Sequence, residues 1–172
     1  MLKSISSVFL ALLLAFCTPS VPQTLATMPL AVPAAPTNDS ETVLSLALQR
    51  AVMQENEVPD YRLLPDPTRI VLLKATSLIS PRILPATDKV HFILLSPEEI
   101  HELAEGHGHF LYLGVGLLSL AGDSALVSIG TGWAPSRRNP GIVYLSGGSC
   151  NWIFRKLDGV WHFERSRGCL IS

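Results

Sequence analysis

Two residues constrain this chain more than any others. Asp158-Gly159 separates two runs that alternate apolar and polar side chains, from Cys150 to Leu157 and from Val160 onward. Asp-Gly is the dipeptide that a two-residue type I′ turn selects, because both central residues take positive φ. The turn fixes which residues face each other: Phe154 meets Phe163, Lys156 meets Trp161, Arg155 meets His162 and Ile153 meets Glu164. Trp152, Phe154, Trp161 and Phe163 then share one face, and the other face is mostly polar. A slip of one residue would mix the faces, which a half-buried sheet resists. The chain is therefore committed to an antiparallel hairpin with one aromatic side.

The same register bears on the cysteines. It sets Cys150 opposite Arg167, with Cys169 on the same face as a diagonal neighbour, at about 7 to 8 Å. That is slightly too far for a disulfide unless a bulge intervenes, and Gly168 is placed to supply one. A Cys150–Cys169 bridge is the expectation if the chain is exported, and two buried free thiols are the alternative if it is not.

Export is read from the first residues. Of the 172 residues, 48% are hydrophobic and 16% are charged, yet no charge occurs between Lys3 and Asp39. Lys3 followed by the apolar run Val8 to Cys17 has the form of a signal peptide, with cleavage expected after Ala26. A lipid anchor at Cys17 is the rival, disfavoured by the bulky Phe16. Residues 27–38, rich in Pro and Ala, read as a tether. Residues 39–172 form a single domain, secreted or periplasmic. No later run approaches the roughly 20 apolar residues of a membrane-spanning helix.

Within the domain, Asn38, Asp39 and Ser40 offer N-caps for a helix over about 40–55, whose Leu44, Ala47, Leu48 and Ala51 form one stripe. Ile70 to Lys74 and Val90 to Leu95 read as short strands. Ser96-Pro97-Glu98-Glu99 is a capping box with Pro at the first helical position, opening a helix that Gly106 is expected to stop. From Phe110 the period changes to two. Strands are expected at 110–120, 124–133, 142–145 and 150–157, followed by the returning strand of the Asp158-Gly159 hairpin. The fold class is α+β: N-terminal helices packed on a curved antiparallel meander sheet.

No motif assigns an activity. Gly147-Gly148-Ser149-Cys150-Asn151 is not a nucleophile elbow, and Gly130-Thr131-Gly132 lies within a strand with no helix after it. The run from His101 to His109 resembles the start of a zinc helix, although Glu105 holds the position of the second histidine. His101, Glu105, His107 and His109 are candidate metal ligands, and a solvated helix end is the plain alternative. Charge is divided along the chain. Residues 39–136 carry 6 basic and 12 acidic groups, and residues 137–172 carry 6 basic and 2 acidic. Lys156, Arg165 and Arg167 fall at the ends of the aromatic face, where they would rim a site for an anionic ligand or an acidic partner. Such scattered charges argue against nucleic acid as a partner.

Ile83-Leu84-Pro85, Phe92 to Ile100, Phe110 to Leu113, Ala125 to Ser128 with Trp133-Ala134, Tyr144 to Gly148 and Asp158-Gly159-Val160-Trp161 together resemble small exported bacterial proteins of unassigned activity. The late meander closed by a D-G-x-W hairpin is similar to the NTF2-like (SnoaL-like) cone. That resemblance implies a fold and carries no catalytic residue over. The first expectation is non-enzymatic binding of a small ligand or protein partner in a concavity between helices and sheet, with no resident cofactor. Trp133, Tyr144 and Trp152 would line it, beside Lys156, Arg165 and Arg167. The alternatives are a zinc-dependent hydrolase or metal carrier built on the His101 to His109 cluster, and a structural or assembly subunit.

Overall fold

The computed structural model describes residues 38–138 and 147–171. The expected signal peptide, Cys17, the tether up to residue 37, the strand expected at 142–145 and Tyr144 lie outside the described residues. Helix α1 spans Asp39–Met53, and its first turn is closed by the Asn38 side chain, which accepts from the Glu41 N–H at 2.9 Å. Its buried residues are Val43, Leu44, Ala47, Leu48, Ala51 and Val52. They recur at three- and four-residue intervals, so a single stripe faces the sheet. At the other end, the Lys89 ammonium donates to the Val52 carbonyl at 2.7 Å and pairs with Glu55, satisfying a carbonyl that the ending helix leaves open.

The sheet has the order β2-β1-β3-β4-β5-β6 among the described residues. Its strands are β1 (Ile70–Lys74), β2 (His91–Leu95), β3 (Phe110–Ala121), β4 (Ser124–Ala134), β5 (Gly148–Leu157) and β6 (Val160–Ile171). Strands β3 to β6 form the antiparallel meander that the alternating pattern predicts. The early strands add a correction: β1 runs parallel to both β2 and β3, so the sheet is mixed. Helix α2 (Pro97–His107) begins at the expected capping box, with Glu99 N–H donating to the Ser96 hydroxyl and Ser96 N–H donating to the Glu99 carboxylate. It runs through Gly106 and ends at Gly108, whose φ of 92° suits glycine.

The two helices lie on opposite faces of the sheet. Helix α1 covers the face carrying Leu111, Leu113, Val127, Ile129, Trp152 and Phe154, in one continuous core. Helix α2 covers only one end of the other face, where Ile100 and Ala104 meet Ala134, Leu95, Phe110 and Tyr112. Beyond α2 that second face is uncovered by any described helix.

Three bulges adjust the strands. In the β3–β4 hairpin, Leu118 is an extra residue between the pairs Leu117–Val127 and Ser119–Leu126. In the β5–β6 hairpin the predicted pairs hold up to Phe154–Phe163. Glu164 and Arg167 are then extra residues, so Ile153 faces Arg165, Trp152 faces Ser166 and Cys150 faces Cys169. The cysteines are joined in a disulfide, with Cα atoms 4.0 Å apart. Gly168, at φ 149°, follows the second bulge. Among the described residues no helix is long and apolar enough to cross a membrane.

Candidate binding site

The concavity expected between helices and aromatic face is filled. Trp152 is fully buried, and Phe154 and Trp161 are 1% and 4% exposed. Phe163 packs edge-on against both Trp152 and Phe154, with ring centroids 5.9 and 5.8 Å apart. Arg50 from α1 closes this side, its guanidinium 3.5 Å from the Phe163 ring centroid and held by two bonds to Glu57, at 2.8 and 2.6 Å. Lys156 is also engaged: its ammonium lies 2.9 Å from both Asp39 oxygens, and the Trp161 indole N–H donates to the same carboxylate at 2.9 Å. These bonds to Lys156 and Trp161 hold the Asp39 carboxyl below its usual pKa of 3.8. The two bulges place Arg165 opposite Ile153, and Arg167 becomes an unpaired extra residue. The predicted set is thus a packing core with an ion pair at its edge, and its arginines are not aligned on the aromatic side.

The open space lies on the other face. Alternate residues of a strand share one face, so Tyr112, Gly114 and Gly116 of β3 stand beside Gly132, Gly130 and Ser128 of β4, each pair directly opposed. Without side chains at four of these six places, the sheet surface sinks into a groove of about 690 Å³. Lys74 and Thr76 border it on the β1 side, Ser149 and Leu170 on the β5 and β6 side, and Tyr112 at the end nearest α2, whereas the Trp133 side chain, opposite Leu111, packs on the α1 side of the sheet. Lys74 is half-buried and, unlike Lys89 and Lys156, has no hydrogen-bond or ion-pair partner among the described residues.

The glycines are of two kinds. A β-carbon at Gly130 would collide with the Gly148 carbonyl oxygen and come within 2.6 Å of Ser149 Cα. One at Gly132 would stand 2.9 Å from Tyr112 Cζ and Oη, so the Tyr ring lies across that residue. Gly148 is crowded by Pro59 and the Leu170 carbonyl. These three are required by packing. At Gly114 the nearest atom to a β-carbon is Gly130 O at 3.8 Å, and at Gly116 there is none within 4 Å among the described residues. Neither has positive φ.

The candidate metal ligands act on a neighbouring loop. His109 Nδ1 accepts from the Ser136 N–H at 2.9 Å, and Glu105 accepts from the Arg137 N–H at 2.6 Å, with Arg138 3.9 Å from its other oxygen. His101 borders a smaller pocket formed with Tyr112, Trp133 and residues 134–137, while His107 and His109 border an apolar pocket with Leu63, Leu72 and Trp133. Among the described residues, no three His, Cys, Asp or Glu side chains gather closely enough to hold a metal ion.

Sequence reasoning missed Lys74, Tyr112, Gly114 and Gly116. A signal was present: Gly114-Val115-Gly116 and Gly130-Thr131-Gly132 repeat one spacing in two strands joined by a hairpin. The two-residue turn at Gly122-Asp123 alone would pair Gly114 with Thr131, and only the Leu118 bulge brings glycine opposite glycine. No protein family matches the chain, and neither a curated protein nor a solved structure does so.

Proposed function

We propose that this is an exported, non-enzymatic binding module that takes a small ligand in the glycine-floored groove. The carrying observation is the pair Gly114 and Gly116. Glycine inside a strand costs about 0.5 to 1 kcal/mol relative to alanine, and it marks places where a bulge forms or where a ligand or second backbone approaches closely. Gly114 and Gly116 precede the bulge and have space above them. Export is supported by the Cys150–Cys169 disulfide, which reducing compartments disfavour.

The test is a fragment screen followed by amide chemical shifts in the wild type and in Gly114→Val, whose side chain has room in the fold but fills the groove. Hits that move the Gly114, Gly116 and Gly130 amides and are lost in the variant support the assignment. Hits that fall elsewhere, or that survive in Gly114→Val, remove it.

A further inference from the structure

The groove joins a cation that is unpaired among the described residues to one aromatic ring across a bare floor, and that combination selects a ligand class. We propose that the ligand is a small flat acid of the single-ring aromatic carboxylate type, its carboxylate on Lys74 and its ring beside Tyr112. This inference rests on the binding role assigned to the groove above.

The placement follows from register. Leu73 pairs with Leu113, so Lys74 and Gly114 are neighbours across the β1–β3 ladder, about 4.8 Å apart. Tyr112 precedes Gly114 by two residues on the same face, about 6.6 Å along the strand. The backbones of Lys74 and Tyr112 are therefore about 8 Å apart on one face, the residue between them has no side chain, and the Tyr112 ring leans over Gly132, which leaves the floor beside Lys74 open. A planar body can lie on the peptide surface of Gly114 and Gly116, where a β-carbon on either would hold it off.

Charge sets the rest. Lys74 is the one charged side chain among the described residues bordering the groove. Half-burial has already removed part of its hydration, and no carboxylate among the described residues compensates, so an arriving anion forms a charge-assisted hydrogen bond that an exposed lysine would not reward as strongly. The hydroxyls of Ser128 and Ser149 on the opposite wall suit a ring carrying a polar substituent. Tyr112 supplies a rigid aromatic surface of the kind on which flat ligands gain most.

Titration of the labelled protein with benzoate, benzyl alcohol and inorganic phosphate, read at the Gly114, Gly116, Gly130 and Gly132 amides, tests it. Benzoate is expected to give saturable shifts, with benzyl alcohol and phosphate each at least tenfold weaker. Lys74→Met, which keeps the aliphatic stem, is expected to weaken benzoate at least tenfold while leaving the rest of the spectrum and the melting temperature in place. Benzoate binding undiminished in Lys74→Met overturns the anchor. Benzyl alcohol or phosphate binding as well as benzoate overturns the ligand class, and so does the absence of saturable benzoate shifts. If benzoate fails but screened fragments still land in the groove, the class is wrong and the site stands; if both fail, both are wrong.

Discussion

Gly114 and Gly130 face each other across the β3–β4 ladder, yet substitution should separate them sharply. Gly114→Val adds a β-branched residue to a strand where it has room, so its stability by thermal melting is expected to match the wild type or exceed it by up to about 1 kcal/mol. Gly130→Val drives its β-carbon into the backbone of Gly148 and Ser149, which cannot rotate away as a side chain could, and should cost about 2 kcal/mol or more. Asp39 makes a pH-dependent contribution. Because Lys156 and Trp161 lower its folded pKa, that contribution is complete above the unfolded value near 3.8 and is lost as pH falls through the lower folded value. The stability difference between wild type and Asp39→Asn, followed by denaturant unfolding at stepped pH, is expected to be constant near neutrality and to close below pH 3.8. At this scale the sequence was informative about caps and silent about partners. Asn38 and Ser96 declare their roles within four residues, whereas nothing near Asp39 announces a lysine 117 residues away.

Two elements depend on side-chain contacts with a neighbouring segment. The loop 135–138 leaves β4 and is held against α2 by backbone N–H groups donating to His109 and Glu105. Removing both acceptors with Glu105→Ala and His109→Phe should raise hydrogen exchange at Ser136 and Arg137 while the α2 amides near the capping box stay protected. His109→Asn, whose side-chain oxygen can stand near the Nδ1 position, should restore Ser136 alone. Strand β6 is an edge strand whose residues from Glu164 to Ile171 are exposed, with Leu170 and Ile171 75% and 76% exposed. Little apolar burial holds its last turn of pairing, so the disulfide does much of that work. Reduction, or Cys169→Ser, is expected to cost about 2 to 3 kcal/mol and to raise exchange first at residues 166–171, leaving the Phe154–Phe163 end intact. The helices and the hairpin turn were legible because their signals are local. The stop of α2 was misread at Gly106 because a helix tolerates glycine, and the actual end came where Gly108 takes positive φ.

At the scale of the whole molecule, the sheet separates a large core under α1 from a small one under α2, and substitutions should reflect the difference. Leu48→Ala, fully buried under α1, is expected to cost about 2 to 5 kcal/mol and to lower a single cooperative transition seen alike by circular dichroism and fluorescence. Ile100→Ala, in the small cluster beside Ala104 and Ala134, should cost less and act mainly on α2 exchange. The sequence by itself determined what short-range chemistry can encode: two capped helices, alternating strands, the Asp158-Gly159 turn and an aromatic face that must be buried. Only the tertiary structure decided how far each register persists and what occupies each face. Bulges at Leu118, Glu164 and Arg167 set Gly114 against Gly130 and Cys150 against Cys169, and they displaced Arg165 from the aromatic side. A bulge is a property of two paired strands and shifts every pair beyond it, so the alternation within one strand does not announce it. The aromatic face became core, and the groove opened on the face where glycines replace side chains.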